Sequence, residues 1–282
     1  HFLFSLFWSF FPGFAEPNPG KFFLARRAAV CYTGSNKPRH TPHPKEEDTL
    51  SEQTASHLDP RLQRIAAQVR PGAVFADIGC DHGLLSIELV RQGAQKGYAC
   101  DIKPGPLQAA QKNIERAGFT DRLQTRLTDG LDGLEDCGLT DIIIAGMGGE
   151  VIAGILERAV FLQNPDLRLI LQPQSRENVL RDFLAENGFA VQCEEAVLSG
   201  KFVYVVMTAQ YTGQRRTLTE MERFCGLLPQ NCTPEACEKM RRTASYLAEC
   251  SKGFFARGET ETANLYLHTS GEILSLILNY YL

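Results

Sequence analysis

The sequence contains no two cysteines separated by only two residues, and its 9 cysteines are scattered along 282 residues. This spacing argues against a zinc site and against a disulfide framework, and it is typical of free thiols in a reducing compartment. The nearest pair in the tail, Cys232 and Cys237, makes a poor zinc half-site. We therefore expect no metal ion and a cytoplasmic protein.

No apolar run approaches the roughly 18 to 20 residues of a membrane-spanning helix, so we expect no membrane association. The net charge of −4 gives no general reason to expect a nucleic-acid partner. The chain also lacks a Gly-Lys-Ser/Thr phosphate loop and the ordered serine, histidine and aspartate of a hydrolase. With 44% hydrophobic and 22% charged residues, the composition is that of an ordinary globular protein.

The first fifty residues differ from the rest of the chain. Residues 1–23 hold 8 of the 17 phenylalanines and the single tryptophan, and residues 24–50 show no apolar periodicity. The first methionine of the sequence is Met147. We expect residues 1–50 to be a disordered or non-native extension, with Leu50 as the start of the native chain. An export signal in this stretch is the alternative.

Apolar strands alternate with helical patterns from residue 51 to residue 212. Residues 73–78 and 142–145 are almost continuously apolar, which is typical of parallel strands covered on both faces. A further strand is expected to end at Asp101, and others are expected at 123–127, 167–171, 189–197 and 202–209. Helices are expected at 54–69, 84–91, 104–117, 151–160 and 176–187. The pattern predicts an α/β fold with a Rossmann-like, doubly wound, mostly parallel seven-stranded sheet, whose final hairpin adds one antiparallel strand. Its ligand is expected at the carboxyl ends of the strands.

A different pattern begins at about residue 213 and predicts a helical carboxyl-terminal domain. Thr233 and Pro234 have the features of a helix start, Gly253 those of a helix end, and a second helix follows from about residue 260. The two helices could pair as an antiparallel coiled hairpin, or their apolar stripe could pack on the main domain. Because the sheet is expected to be complete before residue 213, we expect a chain that ends there to keep its cofactor binding.

The most informative motif follows the first strand and contains Asp77, Gly79, Asp81 and Gly83. A dinucleotide fingerprint would place glycine at position 81, where a carboxylate repels a diphosphate. We therefore infer a cofactor with a cationic end and no phosphate, S-adenosylmethionine. The glycines would let the loop approach it, and either aspartate could accept a hydrogen bond from its amine. The alternative is that the motif serves turn geometry alone.

Two further acidic positions follow the next strands. Asp101 ends the second strand, where an acidic residue can accept hydrogen bonds from both ribose hydroxyls; the alternative is a helix cap. Asp129 and Gly130 follow the third strand, where the adenine edge would lie, although such a pair is common in turns.

The fourth and fifth strands end in residues suited to the reacting end of the site. Gly146, Met147 and Gly148 would form a floor with few side chains beside the cofactor. The amides of Gln172 and Gln174 could bind a base edge, or they could cap the next helix.

His82 completes the candidate site within the first loop. We assign it no proton role, since methyl transfer to a ring nitrogen with a lone pair needs positioning more than deprotonation. His82, Met147 and Gln172 are the candidates for the catalytic group.

With these residues in place, the chain resembles the bacterial tRNA (adenine-N1)-methyltransferases of the TrmK type, which act on adenine 22 of tRNA. The resemblance runs from about residue 55 to 210 and rests on five motifs, Asp59-Pro-Arg-Leu62, Asp77-Ile-Gly-Cys-Asp-His-Gly83, Ile144-Ala-Gly-Met-Gly-Gly149, Leu171-Gln-Pro-Gln174 with Arg176-Glu177, and Gly200-Lys-Phe-Val-Tyr204. It implies an S-adenosylmethionine-dependent enzyme with tRNA as its substrate. It also implies that a defined set of residues lines the cofactor and the target base, with Arg61 at the mouth of the pocket. These residues are Asp77, Gly79, Asp81, His82, Asp101, Asp129 and the glycine block 146–149.

Charge by itself does not favour RNA. Residues 51–212 carry more acidic than basic side chains, and the tail carries equal numbers. An RNA surface must therefore be a local patch, for which we single out Arg241 and Arg242, with Lys239 and Arg257 nearby. A methyltransferase for a small molecule or a protein, or an RNA-binding module without activity, are the alternatives. The sequence does not indicate an oligomeric state.

Overall fold

The structure is a computed structural model, and it describes residues 58–281. The expectations for residues 1–50, including a start at Leu50, lie outside the described residues. All described residues belong to one compact unit.

A seven-stranded sheet forms the centre of this unit. The strands are β1 Val74–Ile78, β2 Lys96–Asp101, β3 Leu123–Leu127, β4 Asp141–Gly148, β5 Arg168–Ser175, β6 Phe189–Ser199 and β7 Phe202–Tyr211. Their order is β3-β2-β1-β4-β5-β7-β6, and β7 runs antiparallel to both of its neighbours. The predicted fold, including its single antiparallel strand, is confirmed. Because the strand order reverses between β1 and β4, a crevice for a ligand is expected there.

Helices cover both faces of the sheet. The α-helices among the described residues are α1 Pro60–Ala66, α2 Leu84–Arg91, α3 Pro104–Ala117, α4 Gly149–Arg158, α5 Glu177–Glu186, α6 Glu220–Cys225, α7 Pro234–Ala256 and α8 Thr260–Tyr281. Ile142, Ile143 and Ile144 of β4 are consequently all 0% exposed. Burial of each such side chain contributes roughly 1.5–3 kcal/mol to the free energy of unfolding.

Strands β4 to β7 all continue past their predicted ends, and for β4 and β5 the difference affects the site. β4 continues to Gly148 and β5 to Ser175, with irregular pairing after Ala145. Met147 pairs with Pro173 and Gly148 with Ser175, so these strand ends belong to the sheet itself. Gly146 lies at the irregularity between Ala145 and Met147 and has φ of 80°.

Helix boundaries also differ from the prediction. Within the predicted helix 54–69, the described helix begins at Pro60, because Asp59 accepts a hydrogen bond of 2.9 Å from the N–H of Leu62 and caps it. Gly253 was expected to end a helix, and this prediction is wrong. Helix α7 continues past it to Ala256, and the following turn uses Gly258 with φ of 78°.

The tail helices pack both on each other and on the core. The predicted stripe of α7 is buried, and the hydroxyl of Ser270 in α8 donates a hydrogen bond of 2.8 Å to the carbonyl of Ala244 in α7. The same stripe belongs to the apolar cluster that contains Leu180 and Leu184 of α5. The two tail helices therefore pair with each other, and their apolar stripe also packs on the main domain. The division into two domains at about residue 212 stays a prediction.

Two further observations concern residues 58–281 only. None of their helices has the length and apolar character that crossing a membrane requires. These residues also contain no group of three or more metal-ligating side chains.

Candidate functional site

A cavity of about 270 Å³ lies at the carboxyl ends of β1 and β4, where the strand order reverses. Its lining comes from α1, from β1 with the loop that follows it, from α2 and from the end of β4, and comprises Arg61, Leu62, Asp77, Gly79, Cys80, Asp81, His82, Leu84, Leu85, Ala145 and Gly146. The cavity thus brings together Arg61 and Leu62 before the sheet, the loop after β1, and Ala145 and Gly146 in β4.

The loop after β1 is fixed by its backbone. The N–H groups of Gly79 and Cys80 both donate to the carbonyl of Cys100, at 2.8 and 2.9 Å. Gly79 has φ of 76°, and a Cβ added there would lie 2.5 Å from Cε of Met147. Asp81 also has a positive φ, 51°, which is uncommon for a residue with a side chain. The loop therefore keeps a shape that a side chain at position 79 would disrupt.

Asp77 is the buried acid of the cavity. Its side chain accepts a hydrogen bond of 2.6 Å from the hydroxyl of Ser86. Burial raises the pKa of Asp77 to about 6; the Ser86 hydrogen bond opposes this rise and the nearby charge of Asp101 adds to it. A cation bound in the cavity would favour the ionised carboxylate and so lower this pKa.

Asp101 ends β2, and one of its carboxylate oxygens accepts a hydrogen bond of 2.8 Å from the N–H of Lys103. Helix α3 begins after Lys103, and its first turn has no side-chain cap. Asp101 is therefore not the cap of this helix, although it holds the backbone just before it. Within the described residues, its other carboxylate oxygen makes no hydrogen bond, which leaves it available to a ligand.

Asp129 is engaged by an arginine that the sequence argument did not identify. Both carboxylate oxygens accept hydrogen bonds from Arg158, at 3.0 and 3.1 Å, and these bonds lower the pKa of Asp129. Gly130 has φ of 62°, and a Cβ there would lie 3.0 Å from Cγ2 of Ile155. A role for Asp129 and Gly130 toward the cofactor stays a prediction.

Gly146 and Met147 form one wall of the cavity region. Gly146 lines the cavity with φ of 80°, and Cε of Met147, which is outside the lining, lies next to Gly79. Gly148 comes immediately before α4, and a Cβ added to it would lie 3.5 Å from Oγ of Ser175. Gly83 plays a packing part on the other side, since its Cβ would lie 3.1 Å from Cβ of Ala110.

Gln172 holds Arg61 of the cavity lining. Nη1 of Arg61 donates a hydrogen bond of 2.9 Å to Oε1 of Gln172, and Nε2 of Gln172 donates at 2.8 Å to the carbonyl of Pro173. Gln172 is 0% exposed. The guanidinium of Arg61 also lies over the ring of Tyr204, 5.7 Å from its centroid. Arg61 is thus oriented from two sides.

Neither glutamine caps the helix after β5. Helix α5 begins directly after Arg176, which has φ of 58°, and no side chain caps the start of the helix. Nε2 of Gln174 would lie 3.7 Å from a Cβ built on Gly146, so this amide stands beside the cavity wall. Helix capping by the glutamines is therefore not observed. The amide oxygen of Gln172 accepts its hydrogen bond from Arg61. Binding of Gln174 to a base edge stays a prediction.

His82 lines the cavity, and its side chain is 58% exposed. Its Nε2 lies 3.5 Å from a carboxylate oxygen of Asp81, and its carbonyl accepts a hydrogen bond of 2.9 Å from Asn113. These contacts place the imidazole at the surface of the cavity without a fixed partner inside it. A catalytic role for His82, as for Met147, stays a prediction.

The tail arginines lie apart from the cavity lining. Nε of Arg241 and Nε of Arg242 each lie 2.7 Å from a carboxylate oxygen of Glu238. Lys239 instead forms an ion pair of 2.5 Å with Glu177 of the core, and it is mostly buried. The expected basic patch thus loses Lys239, because packing of α7 on α5 brings that side chain to a carboxylate.

Three contributors to the site region were missed from the sequence. Ser86 interrupts an otherwise apolar helical run, which was a usable signal for a buried hydrogen bond. Arg158 gave no such signal, because its partner Asp129 lies far away in the chain. Tyr204 belongs to the fifth motif of the resemblance, but nothing in the sequence assigned it a partner.

Comparison with known proteins places this geometry in a family. A family model described as a methyltransferase domain matches residues 58–207. The tRNA (adenine(22)-N(1))-methyltransferase of Bacillus subtilis is 34% identical over 154 residues, which cover 54% of this chain and 65% of that enzyme. The match thus spans slightly less than two thirds of that relative.

Solved structures extend the match to nearly whole chains. A putative tRNA (m1A22) methyltransferase of Streptococcus pneumoniae, solved with S-adenosyl-L-methionine, is 32% identical with a TM-score of 0.66, covering 76% of this chain and 98% of that chain. The B. subtilis tRNA methyltransferase TrmK is 27% identical with a TM-score of 0.67, covering 79% and 98%. The similarity therefore includes the tail helices as well as the sheet.

Proposed function

The chain belongs to the methyltransferase domain family, in its TrmK tRNA (adenine-N1)-methyltransferase branch, and we propose that it transfers a methyl group from S-adenosylmethionine to N1 of adenine 22 in tRNA. The observation that carries the proposal is the cavity between the ends of β1 and β4, with a buried carboxylate and two glycines in its lining. A cytoplasmic location belongs to the same proposal, because the cofactor and tRNA are intracellular.

The residues of the cavity fit S-adenosylmethionine. This cofactor carries a sulfonium and an ammonium group but no phosphate, and Asp77 and Asp81 offer carboxylates in the lining. Gly79 has no side chain, so Cε of Met147 can lie only 2.5 Å from the place where a Cβ would be. Asp101 has a carboxylate oxygen available for hydroxyl groups. When bound, the cofactor supplies an electrophilic methyl group.

The protein's own part in the reaction is to position the base. N1 of adenine has a lone pair in the neutral ring, so no group has to remove a proton before transfer. Arg61, held by Gln172 and Tyr204, stands at the mouth and orients whatever enters. The adenine ring becomes positively charged on methylation, and an acidic lining stabilises that charge.

The direct test is methylation of a defined RNA. The purified protein would be incubated with S-adenosylmethionine and an unmodified tRNA transcript, and 1-methyladenosine would be measured by mass spectrometry of the nucleosides. A transcript with guanine at position 22 is the matched control. We expect methylation of the first transcript only. Methylation of a protein or small molecule with none on tRNA would contradict the proposal.

A further inference from the structure

An exposed aromatic side chain stands at the tip of the hairpin between β6 and β7. Ser199 pairs with Phe202, so Gly200 and Lys201 form a two-residue turn, with φ of 60° at Gly200. Phe202 is 51% exposed, although burial of such a ring would be favourable. Such an exposed ring can bind a partner, and the neighbouring side chains indicate which kind of partner fits.

Two cations flank two rings on one face of the hairpin. The ring centroids of Phe202 and Tyr204 lie 6.1 Å apart. Nζ of Lys201 lies 5.3 Å from the Phe202 centroid, and the guanidinium of Arg61 lies 5.7 Å from the Tyr204 centroid. We name these four residues the hairpin platform.

The hairpin platform is continuous with the cavity. Arg61 lines the cavity, and its guanidinium also covers the ring of Tyr204. Phe202 lies two residues before Tyr204 on the same face of β7, and the two rings are neighbours. On the far side, Nη1 of Arg242 donates a hydrogen bond of 3.0 Å to the carbonyl of Lys201 and holds the turn. Among residues 58–281, the one acidic side chain paired with a platform residue is Asp59, 3.5 Å from Arg61. A chain of rings and positive charges therefore leads outward from the cavity mouth.

We propose that the hairpin platform is a stacking subsite for an unpaired nucleotide of the tRNA next to the target adenine. Aromatic side chains bind unstacked bases through their π-faces, and neighbouring lysine and arginine side chains bind the phosphates. The alternation of rings and cations fits a nucleotide better than a purely apolar partner. This inference rests on the proposed function, since it requires a nucleic-acid substrate.

The reaction itself creates a need for such a surface. An adenine that enters a cavity must leave its stack, and this unstacking costs free energy. A ring beside the mouth can receive a neighbouring base and offset part of that cost. The hairpin platform would thus contribute to binding of the substrate and leave the cofactor unaffected.

The test compares hairpin variants of the full chain. Phe202→Ala should weaken binding of the tRNA transcript about 5- to 150-fold, the range of one lost base stack, whereas Phe202→Trp should bind like the parent. Leu198→Ala is the matched control, because this residue is exposed on the opposite face of the same hairpin. Affinity for S-adenosylmethionine should be the same in all four proteins.

Salt dependence separates the roles of the two side chains. Lys201→Ala should lower the slope of log affinity against log salt by about one phosphate contact, and Phe202→Ala should leave that slope unchanged.

The parent protein is assayed for tRNA methylation first, and its failure there would refute the proposed function. If the parent methylates tRNA and Phe202→Ala binds it equally well, the stacking subsite is refuted. Loss of a dimer in Phe202→Ala at unchanged tRNA affinity would instead assign this face to a protein contact and equally refute it.

Discussion

The side chain of Arg61 donates a hydrogen bond of 2.9 Å to the buried amide oxygen of Gln172, and so joins the helix before the sheet to its fifth strand. The two residues are 111 positions apart. The bond fixes the guanidinium at the cavity mouth and satisfies a polar group that solvent does not reach. One contact thus serves both the stability of the fold and the geometry of the site.

Replacement of Arg61 should therefore affect stability as well as activity. Arg61→Ala leaves the Gln172 oxygen without its donor, which should lower the free energy of unfolding by about 1–3 kcal/mol. Arg64→Ala is the control on the same helix, since its pair with Glu195 is partly exposed and should cost less than about 1 kcal/mol. Urea unfolding measures both. Equal losses would show that the Gln172 bond does not matter for stability.

Asp101 provides a test of the cofactor site. Asp101→Ala should weaken S-adenosylmethionine binding by about 1.5–3 kcal/mol, the scale of a hydrogen bond to a charged group. Calorimetry measures the affinity, with the exposed Asp121→Ala as the control. The parent should show no binding of NAD. An unchanged affinity in a folded Asp101→Ala protein would remove this residue from the site.

Cofactor affinity should depend on pH through Asp77. Its pKa in the folded protein is raised from 3.8 to about 6, so the carboxyl becomes neutral as the pH falls below that value. A cationic ligand prefers the ionised form, and its affinity should therefore decline by up to about tenfold per pH unit below pH 6 and level off above it. Calorimetry between pH 5 and 7.5 measures this decline.

Two variants at the same site check the assignment to Asp77. Asp77→Asn should remove the pH dependence. Ser86→Ala should move its midpoint to higher pH, because the hydroxyl of Ser86 stabilises the ionised carboxylate. A decline that persists unchanged in Asp77→Asn would assign the titration to another group.

The buried ion pair that contacts both the core and the tail should contribute strongly to the stability of the fold. Arg181 and Glu194 form a buried ion pair of 2.7 Å, and Glu194 also accepts a hydrogen bond from the N–H of Leu227 in the tail. Arg181→Ala should lower the free energy of unfolding by about 3–5 kcal/mol, because it leaves a buried charge unpaired. Arg216→Ala, which breaks an exposed pair, should cost far less. Comparable losses in the two variants would mean that the buried pair is not structurally important.

The same contacts change what a truncation near residue 213 can show. From the sequence we expected the shortened chain to keep its cofactor affinity. In the structure, removal of the tail takes away the Leu227 partner of Glu194 and the tail side chains of the apolar cluster that contains Leu180 and Leu184. Point substitutions therefore test RNA contacts more clearly than truncation does.

Arg241 and Arg242 remain the tail residues to replace. The double change to alanine should weaken tRNA binding for all sequences alike and lower its salt dependence, as loss of phosphate contacts does. Their shared partner Glu238 has its pKa lowered to about 2 by Arg241 and Arg242, so it stays charged and limits the effect. Filter binding at several salt concentrations measures the slope, with Lys252→Ala as the control farther along the helix. An unchanged slope would place RNA recognition elsewhere.

The sequence by itself determined the order of strands and helices and the place of the cavity. Continuous apolar runs such as residues 142–144 mark strands buried on both faces, and the loop of Asp77 to Gly83 follows such a strand directly. These are local patterns, because side-chain periodicity and glycine positions reflect the conformation of the same short segment. Asp101 could be found in the same way, from its place at the end of the next strand.

Only the tertiary structure decided which side chains meet. It paired Arg61 with Gln172, gave Asp129 to Arg158, and moved Lys239 from an expected basic patch to Glu177 in the core. It also placed Tyr204 against Arg61 of the cavity lining, with the ring of Phe202 next to that of Tyr204. Such contacts join residues far apart in the chain. Their geometry depends on how whole helices and strands pack, which no local pattern of residues specifies.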